Sequence, residues 1–500
     1  MRNNIYKFVF FLLISSTMMA NVSLPNIFSD NMVLQRNSQV KIWGWANPKE
    51  EIKLVSSWNN QEYKTVANNQ AKWEITIKTP EAGGPFTISI KGYNEVVLKN
   101  ILIGEVWLCS GQSNMEMSVS WGIDDGEEEM KNATNPNIRF FTVPKLTAES
   151  PQNNLLGNWT ESTPETMKYF SAIGYFFAKR LREDLKNVPI GLISSNWGGT
   201  PAEIWMPEDV VNNDPLLLEN AKKLNEQEYG PRQPGRAYNA MIYPIVGFKI
   251  AGTLWYQGES NVGSLVYDKT LGALITSWRK EWNDNFPFYY VQIAPFKNGS
   301  NNFSNVTVRD SQRKLLKEVS KTGMVVISDI SDTIDIHPKN KKSVGIRLAN
   351  LALAETYKTN SNLVNGPLFK GIKVDKNAVI VSFDYGDGLY FKDKKSNQFE
   401  VAGIDGVFYP AEASIKNNEV IVTSKKVASP AKVRFAWGNT IQSDLFNKAN
   451  LPASCFISKN RPASFFDCRC PGSGDPVRVP GLHQCGNFVS CSSGHLPEAA

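Results

Sequence analysis

The stretch "ILIGEVWLCSGQSNMEM" (residues 101–117) contains the transition that decides the fold. Its first part is almost continuously apolar, which is typical of a strand buried on both faces of a parallel sheet. The chain then passes through Gly111 and Gln112 into Ser113, and serine is a common turn residue. Either Ser113 is an ordinary turn residue, or it is a nucleophile presented at the end of a strand. The rest of the sequence has to decide between these two interpretations.

Segments of the same apolar kind recur along the chain and predict further buried strands. They are "VPIGLISS" (188–195), "KIAGTLWYQ" (249–257), "FPFYYVQIA" (286–294) and "GMVVISDI" (323–330). Helical periodicity predicts helices over 169–186, near 306–320 and over 339–357. Strands that alternate with helices predict an α/β domain with a parallel sheet over residues 101–358. Residues 206–240 are polar and predict a mostly loop-like excursion within it.

Two regions of β character flank this domain. Residues 21–100 and 359–457 contain short segments with alternating apolar and polar residues, separated by Asn, Pro and Gly, which predict small antiparallel β domains. A chain of 500 residues agrees with this division, since a domain averages roughly 150 residues.

The two ends of the chain differ from the rest. Residues 1–20 combine Arg2 and Lys7 with an apolar run over 8–14, which predicts a signal peptide and export to the periplasm or outside the cell. The run is too short to span a bilayer, although a retained N-terminal anchor is the alternative. Residues 458–500 form a Cys-rich tail whose cysteine and histidine order matches no standard zinc spacing. A disordered or non-native tail is favoured over a metal site there.

Polar residues follow four of the predicted strands. They are Gln112, Ser113 and Asn114 after the first, residues 196–200 and 257–261 after the next two, and Asp332, Asp335 and His337 after the last. Ligands of open parallel sheets bind beyond the carboxyl ends of the strands. Agreement among four separate loops favours the interpretation of Ser113 as a nucleophile.

The only histidine outside the tail is His337. A serine nucleophile needs a base that takes its proton near neutral pH, so His337 is the candidate base. Asp335 is the first choice to orient the imidazole, because residues two apart in an extended segment point the same way. Asp332 and Glu259 are reserves, and a solvated or helix-capping carboxylate is the alternative for Asp335.

The remaining candidates would stabilise an oxyanion or bind substrate. The Ser113 amide, an amide at Gly198 or Gly199 and the Gln257 side chain are candidate oxyanion donors, unless the glycines only form a turn. Candidate substrate contacts are Gln112, Asn114, Trp197, Glu203, Trp205 and Glu259. Cys109 lies within the apolar strand and is expected to be a small buried hydrophobe rather than a nucleophile.

"SGQSN" lacks the last glycine of the G-x-S-x-G elbow of α/β-hydrolases, and the acid and histidine lie together late in the chain. This order resembles the SGNH-hydrolase superfamily. More narrowly, the chain resembles bacterial sialate O-acetylesterases in six motifs. They are "LPNIFSDNMVLQR" (24–36), "GQSNMEM" (111–117), "NWGGTPAEIWMP" (196–207), "WYQGESN" (255–261), "DIHPKNK" (335–341) and "LFNKANLPAS" (445–454). The resemblance covers residues 23–457.

The resemblance implies a flavodoxin-like, three-layer domain flanked by β domains. It also implies Ser113 as nucleophile, His337 as base, and Gly198 or Gly199 with Gln257 as oxyanion donors. The superfamily often has an aspartate three residues before the histidine, where this chain has Ile334, so a Ser–His dyad remains an alternative to a triad.

The expected function is therefore that of a serine esterase that removes O-acetyl groups from sialic acid or a related sugar through an acetyl-enzyme. The alternatives are an esterase for acetylated xylan or another glycan, and a non-catalytic carbohydrate-binding protein on a hydrolase scaffold. No metal or cofactor is expected. The net charge of +6 and the lack of a basic stripe interleaved with aromatics argue against nucleic acid.

Overall fold

The computed structural model describes residues 21–224, 227–297 and 303–458, and the backbone of a short antiparallel strand pair, Asp467–Cys468 with Val477–Arg478. The expected signal peptide and nearly all of the expected Cys-rich tail lie outside the described residues. Across the described ranges, no helix combines the length and apolar character needed to cross a membrane.

The N-terminal part consists of short strands, and buried residues alternate with more exposed ones most clearly in the second, third and fifth. The strands are β1 (Val33–Gln35), β2 (Gln39–Trp45), β3 (Glu51–Ser56), β4 (Glu62–Val66), β5 (Lys72–Lys78) and β6 (Gly83–Lys91). β2 pairs with β5, and β3 lies between β4 and β6, all antiparallel. β7 (Glu95–Gly111) pairs with β6 through its first half and enters the central sheet with its second half. The expected boundary near residue 100 therefore falls within one continuous strand.

The central sheet contains β7 and six later strands. These are β8 (Asn135–Thr142), β9 (Trp159–Ser162), β10 (Ile190–Asn196), β11 (Gly252–Tyr256), β12 (Phe288–Val291) and β13 (Thr322–Val325). Their order is β13-β12-β11-β7-β10-β8-β9, and every pair is parallel except β8 with β9. The expected α/β class with a parallel sheet is confirmed, whereas β8 and β9 were not predicted.

Nine α-helices lie between these strands or follow the last of them in the described ranges. They are α1 (Ser113–Glu116), α2 (Gly126–Lys131), α3 (Pro164–Met167), α4 (Ala172–Asp184), α5 (Glu208–Asn212), α6 (Pro215–Ala221), α7 (Tyr267–Trp282), α8 (Ser304–Leu315) and α9 (Lys341–Glu355). α4 packs against α9, and α7 packs against α8.

The structure adds two helical features to the sequence expectations. Residues 206–240, expected to be mostly loop-like, also contain the short helices α5 and α6 and the start of a π-helical turn at Tyr238. Helix α7 was not predicted, although its buried Leu271, Leu274, Ile275 and Trp278 follow helical spacing.

The C-terminal part is antiparallel β structure around a second core. Its strands are β14 (Leu368–Asp375), β15 (Ala378–Asp384), β16 (Tyr390–Phe391), β17 (Phe399–Ala402), β18 (Phe408–Pro410), β19 (Glu412–Lys416), β20 (Glu419–Thr423), β21 (Lys432–Phe435), β22 (Leu445–Phe446) and β23 (Phe456–Ile457). They form sheets of order β14-β15-β20-β19, β18-β17-β21-β23 and β16-β22. A buried hydrogen bond of 2.8 Å from Gln292 Nε2 to Ser454 Oγ joins this part to the loop after β12.

The carboxyl ends of β7, β10 and β11 meet at one edge of the central sheet. Gly111 is in register with Asn196 on one side and with Tyr256 on the other. The segments that begin at Gln112, Trp197 and Gln257 therefore leave the sheet next to one another.

Candidate active site

Ser113 is the first residue of α1 and follows directly from the sharp end of β7. Gly111 adopts φ +137°, and a Cβ there would lie 2.2 Å from the Tyr256 carbonyl oxygen, so only glycine fits. The backbone N–H of Ser113 lies at a helix start, where N–H groups have no partner within the helix. The turn thus presents the Ser113 hydroxyl and a backbone donor on the same side of the sheet edge.

The Ser113 hydroxyl contacts the His337 imidazole. His337 Nε2 lies 2.9 Å from Ser113 Oγ, within hydrogen-bond distance. His337 is half-buried on the loop between β13 and α9, and its ring meets the Trp121 indole edge-on with 6.0 Å between centroids. In this geometry a neutral imidazole can accept the hydroxyl proton.

The surroundings of His337 favour the neutral imidazole. Burial lowers the pKa of His337, and the positive charge of Lys341 lowers it further. The Asp335 carboxylate acts in the opposite direction and raises this pKa. The unprotonated base is therefore present at a lower pH than it would be for an exposed histidine.

Asp335 is close to His337 but does not hydrogen-bond to its ring. Asp335 Oδ1 accepts the backbone N–H of His337 at 2.8 Å, whereas it lies 3.9 Å from Nδ1. Asp332 Oδ1 accepts the Ile334 N–H instead, and Glu259 Oε1 accepts from Asn114. In this arrangement Asp335 shapes the loop through the backbone and acts on the ring through its charge.

Two of the expected oxyanion donors are already engaged. The Gly198 N–H donates to Glu116 Oε2 at 2.8 Å. The Gln257 side chain is fully buried, and its Nε2 donates to the Thr200 carbonyl and to Asn261 Oδ1. In this structure the hydrogens of both groups point to protein acceptors, and their role as oxyanion donors stays a prediction. The Ser113 and Gly199 amides remain as candidates.

Glu116, which sequence reasoning did not single out, connects α1 to the loop after β10. One carboxylate oxygen accepts from Gly198, and the other pairs with Lys145 at 2.5 Å. A Cβ at Gly198 would lie 3.2 Å from Ser113 Cβ, so glycine allows this close approach. The only available signal was the position of Glu116 within the "GQSNMEM" motif.

Ser113 and His337 line a cavity of about 770 Å³. Polar side chains of Gln112, Glu203, Arg232, Glu259 and Asn261 also line it. Two aromatic side chains, Trp121 and Tyr229, line the same cavity and are 44% and 64% exposed. Neither aromatic residue was predicted, because the sequence alone does not separate an exposed aromatic from a core one.

Some expected substrate contacts do not reach the cavity. Trp205 is fully buried, and its Nε1 donates to Thr200 Oγ1, so its side chain packs in the core rather than at the cavity wall. Asn114 is also fully buried and bonds to protein groups. Trp197 is half-buried, and its Nε1 donates to the Tyr229 carbonyl.

The other expected contacts line the cavity, and they also form hydrogen bonds with neighbouring residues of its wall. Gln112 Oε1 accepts the Ser260 N–H at 3.2 Å, and both Glu203 oxygens accept from Asn261 Nδ2. Burial raises the pKa of Glu203. Cys109 is fully buried, and burial raises the pKa of its thiol to about 12, so it has the character of a small hydrophobe.

Comparison with known proteins identifies relatives of this chain in sequence and in fold. Residues 103–354 match the family described as "Carbohydrate esterase, sialic acid-specific acetylesterase". The sialate O-acetylesterase of Homo sapiens is 28% identical over 416 residues, which cover 75% of this chain and 78% of the human protein. The rat enzyme of the same name is 27% identical over 481 residues, with 82% of this chain and 88% of the rat protein covered.

A solved structure extends the similarity to nearly the whole chain. The crystal structure of a carbohydrate acetylesterase from Xanthomonas citri is 34% identical and superposes with a TM-score of 0.79, covering 88% of this chain and 99% of that one. Together with the matched family region, this similarity shows that the chain belongs to the carbohydrate esterase family of sialic acid-specific acetylesterases.

Proposed function

We propose that this esterase removes O-acetyl groups from sialic acid or a related sugar, with Ser113 as nucleophile and His337 as general base. The observation that carries the proposal is the contact of 2.9 Å between His337 Nε2 and Ser113 Oγ at the wall of a large polar cavity. Membership in the carbohydrate esterase family supports the ester and the sugar.

The reaction follows from the positions of these two side chains. Ser113 Oγ attacks the acetyl carbonyl carbon while His337 Nε2 takes the hydroxyl proton. The amides of Ser113 and Gly199 are the proposed donors to the oxyanion. When the tetrahedral intermediate collapses, the bond to the sugar oxygen breaks and His337 returns the proton to that oxygen.

Deacylation uses the same groups. His337 removes a proton from water, which attacks the acetyl-enzyme, and acetate leaves as Ser113 regains its proton. The Asp335 carboxylate, 3.9 Å from His337 Nδ1, stabilises the imidazolium in both steps by charge rather than by a hydrogen bond.

The cavity is suited to a sugar rather than to a small acetyl ester alone. Its volume of about 770 Å³ lies in the range of pockets that bind whole small molecules. The exposed faces of Trp121 and Tyr229 offer apolar surfaces for a sugar ring, and polar side chains line the remainder of the same cavity. The matched family favours O-acetylated sialic acid over acetylated xylan as the substrate.

The test is acetate release from O-acetylated sialic acid and from acetylated xylan by the full chain. Ser113→Ala and His337→Ala are each expected to lower kcat by about 10⁴-fold or more. Ser120→Ala, at an exposed serine near the site, is the matched control and is expected to retain activity.

The outcomes separate the alternatives. Faster turnover of acetylated xylan than of O-acetylated sialic acid would make xylan the preferred substrate. Sugar binding without acetate release would support the non-catalytic alternative. Activity in Ser113→Ala would contradict the proposed nucleophile.

We also propose that the protein is exported. The proposal rests on the charged start and apolar run of residues 1–20. Cell fractionation with N-terminal sequencing of the mature chain tests it, with a start near Asn21 expected. An intact residue 1 in the cytoplasmic fraction would contradict it.

A further inference from the structure

A lysine lies buried beneath the loop that carries His337. Lys341 is the first residue of α9 and follows His337 by four positions, yet it is only 1% exposed. Its Nζ donates to Asn114 Oδ1 at 2.5 Å and lies 5.5 Å from the centre of the Tyr256 ring. A buried ammonium group is costly unless it is paired, so the position requires an explanation.

Asn114 connects this lysine to both members of the Ser113–His337 pair. Asn114 directly follows Ser113, and its Nδ2 donates to the carbonyl of Ile336, the residue before His337, at 3.0 Å. The same amide donates to Glu259 Oε1 at 2.6 Å. The buried Asn114 side chain therefore connects α1 with the His337 loop and with the turn after β11. Its oxygen accepts a hydrogen bond from Lys341.

We infer that Lys341 is a positioning residue for the Ser113–His337 pair: it fixes the Asn114 amide that joins their two segments, and its buried positive charge acts on the His337 imidazole. This inference rests on the proposed roles of Ser113 and His337. Lys341 does not contact the cavity in which substrate would bind, so it acts through Asn114 and through its electrostatic field.

The charged groups around Lys341 determine the sign of this effect. Glu259 faces it from the turn after β11, Asp335 and His337 from the preceding loop, and the Tyr256 ring from β11. Burial lowers the pKa of Lys341 to about 7 and raises that of Glu259 to about 7, while their attraction opposes both shifts. His337 titrates below its ordinary value, where Lys341 is still protonated. The cation therefore disfavours the imidazolium throughout that range.

A purely structural lysine would give a different result. Glu259 Oε2 is buried and has no hydrogen-bond partner among the described residues, so Lys341 also offsets the charge of this carboxylate. If that were its whole role, its removal would lower stability and the amount of folded enzyme. It would not move the pH at which His337 takes up a proton.

The experiment compares Lys341→Met and Lys341→Gln with Lys342→Met in the full chain. Gln can still donate to Asn114 without the charge, whereas Met removes both. Lys342 is the next residue of α9 but is partly exposed and pairs with Glu129, so it is the matched control. The first readout is the pH dependence of kcat and kcat/KM for p-nitrophenyl acetate. The second is the NMR titration of the His337 ring protons, whose resonances are assigned with the His337→Ala variant.

Both Lys341 variants are expected to raise the pKa of His337, because a nearby like charge is removed. The acid limb of kcat/KM then moves to higher pH by the same amount. Lys341→Met is also expected to lower kcat by about 10- to 100-fold through displacement of the pair, and Lys341→Gln by less. Lys342→Met leaves both readouts unchanged.

An unchanged His337 pKa in the folded variants would overturn the electrostatic role, and an unchanged kcat in Lys341→Met would overturn the positioning role. If Lys341→Met does not fold, Lys341→Gln still tests the charge. The NMR titration does not require turnover. An inactive wild-type enzyme would therefore refute the proposed function separately from this inference.

Discussion

His337 Nε2 lies 2.9 Å from Ser113 Oγ although the two residues are 224 positions apart in the chain. Ser113 follows β7 at the centre of the sheet, and His337 follows β13 at its edge. The long loop before α9 spans this separation, and Asn114 holds it through the Ile336 carbonyl. The geometry of the pair therefore depends on the loop as much as on the sheet.

The acid limb of the wild-type pH profile is expected below the ordinary histidine pKa of about 6.5. Burial and the Lys341 charge lower the pKa of His337, and the proposed reaction requires the neutral imidazole. Activity should therefore persist as the pH falls and disappear only when His337 becomes protonated. Measurement of kcat/KM against pH, compared with the NMR titration of His337, checks this. A limb above 6.5 that follows the His337 resonance would contradict the prediction.

Asp335→Asn is expected to lower kcat by less than about 100-fold, compared with about 10⁴-fold where an aspartate hydrogen-bonds directly to the catalytic histidine. The asparagine oxygen can still accept the His337 N–H, which Asp335 accepts at 2.8 Å. Loss of the carboxylate charge lowers the pKa of His337, so the acid limb moves to lower pH, opposite to the Lys341 variants. Asp332→Asn is the control. A loss of about 10⁴-fold would instead make Asp335 a full triad member.

Gln257→Met is expected to destabilise the protein more than it slows the reaction. The substitution removes three buried hydrogen bonds of the Gln257 side chain, to the Thr200 carbonyl, to Asn261 Oδ1 and from the Tyr267 hydroxyl. The free energy of unfolding should fall by about 2–4 kcal/mol, since each buried hydrogen bond contributes about 0.5–1.5 kcal/mol. The kcat of the folded enzyme should fall by less than about 10-fold, compared with 100- to 1000-fold for a lost oxyanion donor.

Denaturant unfolding and kinetics on the same samples separate these two effects. Gln61→Met, at an exposed glutamine, is the control and should change neither quantity. A loss of kcat above 100-fold with unchanged stability would restore Gln257 as an oxyanion donor.

Trp121→Ala is expected to raise KM for the O-acetylated sugar by about 10-fold, since a stacked aromatic contact contributes about 1–2 kcal/mol. KM for p-nitrophenyl acetate, which lacks the sugar, should change less. Tyr93→Ala removes an exposed aromatic side chain far from the cavity and should leave both values unchanged. Equal losses for both substrates would mean that Trp121 supports His337 rather than the sugar, since their rings are in edge-on contact.

The sequence predicted the parts of the fold that local pattern encodes. Continuous apolar runs located β10, β11, β12 and β13, and helical periodicity located α4 and α9. β9 has only four residues and lies antiparallel at the sheet edge, so no long apolar run marks it. Helix α7, which was not predicted, nevertheless carries the spacing of a buried helical face in its sequence.

By itself, the sequence determined the α/β class, the strand end at Ser113 and the choice of His337, because no other histidine lies outside the tail. Only the tertiary structure decided which polar groups are available. Glu116 accepts the N–H of Gly198, which is 82 positions away in the chain. Asn261 and Thr200 accept the hydrogens of the Gln257 side-chain amide. Lys341, in a run of polar and charged residues, is buried against Asn114 from 227 positions away. Local periodicity cannot specify these contacts, because a side chain's burial and hydrogen-bond partners depend on segments that only folding brings together.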